Sequence, residues 1–390
     1  MTFVLQHGYG KADKIESVAD HALVSAVILS PTDEDAGALE HTVRRLKERG
    51  IDPLLDPQTY LYTAGVDLAG RCHPDNGLNF PPIRWSQSPR EVESVVASVG
   101  EANSRVGIHD TMIAPSILQS SFEDIWTPLG IQYARAAADA WPSKRVYASA
   151  VFEEMAFGGW EQINDWLDEV TTIDLTGFYL LTNQRSASAY PATGWAADRL
   201  ANAMRMIYTL TEINNYELLW GYSDVEGLLG IAAGATGCAT GWHNSLRRFS
   251  VDKWRPKSGG AQPIPRRFVG SLLSPLRIEG ELSAIPPVGN ALLGPASVAD
   301  AVFTSYMGNP EIWKRGIAQK HHMVSIATLV NELALQPVPT RLGTLQDWIH
   351  ESLSLFDRLA ERNLVFERSY VSKLRVLARA IAIFRDEEGI

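Results

Sequence analysis

Alternation between buried-strand and amphipathic-helix patterns constrains this chain more than any other feature of its sequence. Ala22–Ser30 (ALVSAVILS) is a nearly continuous apolar run rich in β-branched residues, as expected of a strand covered on both faces. Thr32, with Asp35 three residues later, resembles a capping box, and Leu39, Val43 and Leu46 recur at helical spacing before Gly50. Asp52–Asp56 begins the next strand. The unit then repeats. Strands are predicted at Thr111–Ser116, Arg145–Phe152, Gly177–Thr182, Glu217–Gly221 and Thr236–Gly241. Helices are predicted around Phe122–Ala140, along Trp160, Ile163, Leu167 and Val170, and at Trp195–Leu210, Val225–Ala233 and Asn244–Phe249. Seven strands separated by helices imply a parallel sheet. An eighth is expected in Pro81–Trp85 or Val106–Asp110. A region of about 250 residues suits a closed (β/α)8 TIM-like barrel. An open doubly wound sheet is the alternative. Its nucleotide-binding forms are disfavoured, because no GxGxxG, GxxxxGKS or GxxxxGKT follows a strand.

After the barrel the composition changes. Prolines and glycines from Arg255 to Pro295 interrupt any long element, and helical patterns return at Val298–Tyr306, Glu311–Leu335 and Thr344–Asp386. The expected organisation is a barrel over 1–254, a basic linker or arm over 255–296 and an α-helical C-terminal subdomain over 297–390. That subdomain would pack on the barrel or dock a protein partner.

With 45% hydrophobic and 21% charged residues, the chain has ordinary globular composition. Met1–Asp20 does not read as a secretory signal, and no apolar run approaches the ~20 residues of a membrane span. A cytoplasmic location and no membrane partner are the default expectations. Cys72 and Cys238 are too few for a disulfide framework or a zinc cluster. His321, His322 and His350 read as solvated side chains of the helical tail, and His73 has no CxxC partner. No metal or cofactor is called for.

Charge is unevenly distributed. The net charge is −10, yet His243–Arg277 carries Arg247, Arg248, Lys253, Arg255, Lys257, Arg266, Arg267 and Arg277 against Asp252 alone. Phe249, Trp254 and Phe268 interleave with these cations. Such a segment suits phosphates or a nucleic-acid strand, with Arg on phosphate and rings on bases. It suits equally a basic loop that pairs with the chain's own acids. Arg247, Arg248, Arg266 and Arg267 are the candidate phosphate contacts.

Barrel enzymes place their chemistry at the C-terminal ends of the strands. The candidate catalytic residues there are Asp56, Glu153, Tyr222 and His243, with Asn183, Gly221 and Trp242 as candidate binding residues. Adjacent side chains at a strand end point in opposite directions, so one of Glu153 and Glu154 faces the axis. Asp224 suits an N-cap. The glycines from Gly227 to Gly241 suit close helix–strand packing.

Three strand ends resemble, in order, the tRNA-guanine transglycosylase superfamily of (β/α)8 barrels. Ser120-Ser121-Phe122-Glu123 is similar to its DSGGFQ, Phe152-Glu153-Glu154 to its FDE, and Leu219–Ser223 with Glu226–Leu229 to its LMGVG and PEDLL. The resemblance implies a base-binding role for Glu153. The family's catalytic aspartates and CxCxxC zinc cluster have no counterparts, since Leu118-Gln119 and Gly237-Cys238-Ala239-Thr240 stand where the aspartates would be. Ordinary base exchange is therefore not implied. Three readings follow. One is a barrel that binds a nucleic acid, nucleotide or nucleobase, either only holding it or also acting on a glycosidic bond. Another is a small-molecule lyase or hydrolase with a phosphorylated substrate near Gly241 and Arg247. A non-catalytic subunit of a multiprotein complex is the third.

Overall fold

A computed structural model describes residues 2–66, 77, 78, 80–84, 86–184, 190–255, 264–285, 293, 298–303, 313 and 315–390. Cys72, His73, Trp85, Arg185 and Lys257 lie outside them. Eight parallel strands run around the barrel: β1 (Phe3–Gln6), β2 (Ala26–Leu29), β3 (Asp52–Leu55), β4 (Thr111–Ile113), β5 (Arg145–Glu153), β6 (Gly177–Asn183), β7 (Glu217–Trp220) and β8 (Gly237–Thr240). The ladder order is β3-β2-β1-β8-β7-β6-β5-β4. The architecture is a TIM-type (β/α)8 barrel with C-terminal helices.

The eighth strand is the first in the chain. Pro81–Arg84 and Val106–Asp110 contain no strand, whereas Phe3–Gln6 pairs with β2 on one side and with β8 on the other. Only Phe3-Val4-Leu5 is apolar, too short a run to separate from a loop by pattern. Its neighbours make it a strand. Between β3 and β4 no ladder forms, and side chains close that seam. Thr59 Oγ1 donates to the Ser116 carbonyl at 2.7 Å and accepts the Ser116 N–H at 2.8 Å, while Thr63 Oγ1 accepts from the Leu118 N–H at 3.1 Å. The backbone groups that a ladder would have paired find partners there.

Around the barrel lie α1 (Lys14–Ala19), α2 (Ala36–Glu48), α3 (Tyr60–Thr63), α4 (Pro89–Arg105), α5 (Thr127–Ala140), α6 (Trp160–Val170), α7 (Ala197–Tyr208) and α8 (Gly227–Ala232). Asp35, not Thr32, caps α2, with its side chain accepting from the Ala38 N–H at 2.8 Å. Thr32 is used elsewhere, accepting from Trp254 Nε1 at 3.0 Å. The expected arm contains an antiparallel hairpin, β9 (Arg266–Val269) and β10 (Ser274–Arg277). The long tail pattern is two helices, Val338–Ala360 and Arg368–Glu388, because Asn363 at φ +58° reverses the chain. Asn is among the few residues that adopt this conformation cheaply. Together with Arg315–Ala334, these helices pack on α7, α8 and the hairpin. Among the described residues, no helix is long and apolar enough to cross a membrane.

Candidate active site

The strand ends gather a buried cluster of polar side chains, and the chain itself covers it. Asp56, just past β3, is wholly buried. Its Oδ1 accepts the Gln58 N–H at 3.0 Å, and its Oδ2 accepts the Tyr60 and Tyr179 hydroxyls at 2.9 and 3.4 Å. Burial pushes Asp56 up to about 6, against the pull of those hydrogen bonds and of Lys253. Burial, with the Asp56 charge close by, drives Tyr60, Tyr179 and Tyr222 far above the ordinary phenol range. These hydroxyls therefore remain donors.

Gln6, Gln58 and Tyr222 complete the cluster. All three are buried, and Tyr222 faces both amides. Gln6 Nε2, Gln58 Nε2 and the Tyr222 hydroxyl nevertheless close no hydrogen bond of normal geometry. Polar atoms orphaned in this way cost about 1–3 kcal/mol each and call for a reason. Tyr222 is held at φ +52°, an energetically costly setting for a bulky residue, and such settings concentrate at functional sites. Gly221 is shaped by the same network. A Cβ there would fall 2.7–2.8 Å from the Tyr179 ring and hydroxyl, so only glycine lets Tyr179 reach Asp56.

The cover is the segment expected to grip phosphates. Phe249 lies edge-on over Tyr60 with centroids 5.3 Å apart, and it also contacts Tyr222 and Trp254. Phe249, Trp254 and Phe268 are all buried, so these rings pack inward and offer no stacking platform to an external strand. Lys253 pairs with Asp33 at 3.1 Å.

The other candidates fall into separate groups. Glu153 Oε2 accepts from Asn183 Nδ2 at 2.8 Å, and Asn183 Oδ1 accepts the Val251 N–H at 3.0 Å. Glu154 turns outward to Arg199 at 2.8 Å. Trp242 is buried and donates to the Tyr9 carbonyl at 3.0 Å. His243 lies at a different wall, with Nδ1 3.1 Å from Gln319 Nε2. Arg247 is buried and donates to the Gly241 and Trp242 carbonyls at 3.1 and 3.2 Å. Arg248 donates to the Ala192 carbonyl at 3.2 Å. Arg266 pairs with Glu367 at 2.9 Å and Arg267 with Asp300 at 2.8 Å, and Arg277 also meets Glu367. Much of the basic segment therefore pairs with acids of the helical extension.

Two histidines expected to be solvated are buried. His321 Nε2 lies 3.0 Å from Asp300, and His322 Nε2 lies 2.7 Å from Asp224. Asp224 does not cap a helix with its side chain; it also accepts from Thr240 and Tyr190 at 3.3 Å each. Gln6, Gln58, Tyr60 and Tyr179 were missed as site residues. Tyr60 could have been found at i+4 from Asp56; the others meet only through strand pairing. Among the described residues, no group of three or more His, Cys, Asp or Glu could hold a metal.

No family model matches the chain, and no curated protein does. Several solved structures are similar in backbone. A putative dihydrodipicolinate synthetase from Pseudomonas aeruginosa is 11% identical with a TM-score of 0.36, covering 97% of this chain and 99% of that one. The 3-dehydroquinate dehydratase from Aquifex aeolicus VF5 is 9% identical with a TM-score of 0.35, over 65% and 95% of the two chains. Thiamine phosphate pyrophosphorylase from Pyrococcus furiosus is 10% identical with a TM-score of 0.32, over 65% and 90%. At these identities the likeness concerns the course of the chain, not its chemistry.

Proposed function

We propose that this chain is a small-molecule lyase or hydrolase of the barrel type, acting on a phosphorylated substrate with Asp56 as its general acid or base. The observation that carries the reading is the buried polar cluster around Asp56. Its carboxyl, pushed up to about 6, stands beside the Gln6 and Gln58 amides and the Tyr222 hydroxyl, which face one another without closing a hydrogen bond of normal geometry. A carboxyl near that value is matched to proton transfer around neutral pH. The orphaned donors and the tyrosine hydroxyls would take the oxygens of a polar substrate, where stabilisation of developing charge is strongest. Substrate entry requires Phe249 and its neighbours to swing aside, a motion common to covered active sites.

The nucleic-acid reading draws less support, because its stacking rings are buried and Arg266 and Arg267 are ion-paired. A nucleotide remains within the proposed substrate class, and the transglycosylase resemblance would place its base on Glu153. The test is a turnover screen over phosphorylated small molecules with wild type and Asp56→Asn. Loss of turnover with substrate binding kept is the expected result. Full turnover by Asp56→Asn, or turnover of no phosphorylated compound, would sink the reading.

A further inference from the structure

A cavity of about 320 Å³ opens between the loop after β8, the start of the hairpin and the helix Arg315–Ala334. Arg247, Arg266, Arg315 and His243 line it, and among the described residues no Asp or Glu does. Arg266 is spoken for by Glu367. Arg247 is not. Its guanidinium is buried, yet its hydrogen bonds go to the Gly241 and Trp242 carbonyls and, at 3.4 Å, to the Tyr190 hydroxyl. Asp224 lies behind it and feels the Arg247 charge, but its hydrogen bonds go to His322 at 2.7 Å and to Tyr190 and Thr240. A buried cation whose direct hydrogen-bond partners are all neutral gains from an anion that joins it. Arg315, at the exposed edge, forms no ion pair among the described residues. Lys14 stands over the Trp242 ring at 5.9 Å, and its acid neighbour Asp13 is bound to Lys320 at 2.6 Å.

His243 registers the resulting field. Burial, followed by the charges of Arg315, Lys14, Arg247 and Lys253, lowers it to about 4. The imidazole is neutral at physiological pH. With the Gln319 amide nitrogen donating to Nδ1, Nε2 carries the ring proton. The cavity thus presents two guanidinium groups and a neutral N–H donor, which suits a phosphate.

We propose that this cavity is an anion site for a phosphoryl group, clamped between Arg247 of the barrel and Arg315 of the helical extension. It deepens the reading above by naming the subsite that takes the substrate's phosphate, and it adds a role for the extension. The barrel alone supplies half of the clamp, and the phosphate completes the joint between the two parts. Arg248 and Arg267 have no place in it.

The probe is inorganic phosphate, titrated by calorimetry at constant ionic strength with chloride as the control. Arg315→Gln is exposed enough to leave folding intact. It should weaken phosphate binding roughly tenfold or more, the usual loss for one charge-assisted hydrogen bond. Arg255→Gln removes a cation whose ion pair among the described residues is with Asp252 and which is not among the described residues lining the cavity, and it should bind phosphate as wild type does. No phosphate binding by wild type at about 10 mM, unchanged affinity in Arg315→Gln, or an equal loss in Arg255→Gln would each overturn the site. Asp56→Asn separates the two proposals. It should bind phosphate normally, so a failure of Asp56 in catalysis leaves the anion site standing, and the converse holds. Competition between phosphate and a turned-over substrate would identify the phosphoryl group as the substrate's own. Saturation without competition would identify free phosphate as the ligand.

Discussion

Asp56 and Asp224 are both wholly buried at strand ends of one barrel, yet they titrate in opposite directions. Burial raises Asp56 to about 6, because only neutral hydroxyls and one amide face it closely. Burial also acts on Asp224, but His322, Lys373 and Arg247 outweigh it and hold this carboxyl well below the ordinary range. Desolvation disfavours a charge, and nearby opposite charges restore it. Asp224 is accordingly a permanent anion that fastens the extension to the barrel, whereas Asp56 is poised to exchange a proton. Burial alone does not distinguish a structural acid from a reactive one; the partners do.

The largest expected effect falls on the reactive acid. Asp56→Asn should lower turnover by about 10²–10⁴-fold, the usual contribution of a positioned acid or base, while circular dichroism stays that of wild type. A tenfold loss or less would return Asp56 to a structural role. His322→Ala comes next. It strips Asp224 of its closest donor and should cost on the order of 3 kcal/mol in denaturant unfolding. Limited proteolysis should then cut the extension before the barrel. Equal stability of the two proteins would refute the fastening role.

Tyr60→Phe removes one donor from the Asp56 carboxylate. The inflection of the pH–rate profile near 6 should move up by roughly one unit. An inflection that stays or falls would mean that Tyr60 does not hold the anion.

The smallest effect is a difference in slope. Asp56 has a raised folded pKa, so the stability it contributes is complete below about 4 and is lost as pH rises to about 6. His322 is lowered to about 4, first by burial and then by Arg247. The unfolded chain therefore binds its proton first, and stability from this group is lost as pH falls from about 6.5 to 4. The two trends oppose each other in wild type. Between pH 4 and 6, Asp56→Asn should gain stability with rising pH more steeply than wild type, by at most about 1.4 kcal/mol per unit. His322→Gln should show the reverse. Parallel curves for all three proteins would contradict both assignments.

Much of the barrel was legible in the sequence because parallel strands covered on both faces leave uninterrupted apolar runs such as Ala22–Ser30. The exceptions are instructive. Phe3–Gln6 has too few apolar residues to declare itself, and it is a strand because β2 and β8 leave a space between them. The break at Asn363 was hidden because apolar spacing continues on both sides of it. Asp56 and Tyr222 could be proposed as site residues from their places after strands. Tyr179, Gln6 and Gln58 could not, since strand interiors and turns carry such residues for many reasons.

The sequence by itself determined the alternation of strands and helices, the barrel class and the strand ends where chemistry would sit, because these follow from local periodicity. It also located an unusual concentration of positive charge. Only the tertiary structure decided how that charge is used. Arg266, Arg267 and Arg277 meet acids at Asp300 and Glu367, remote in sequence, while Phe249 and Trp254 fold inward, Phe249 onto Tyr60 and Tyr222. Coulomb attraction and burial depend on distance in space, and distances between residues a hundred positions apart are set by packing alone.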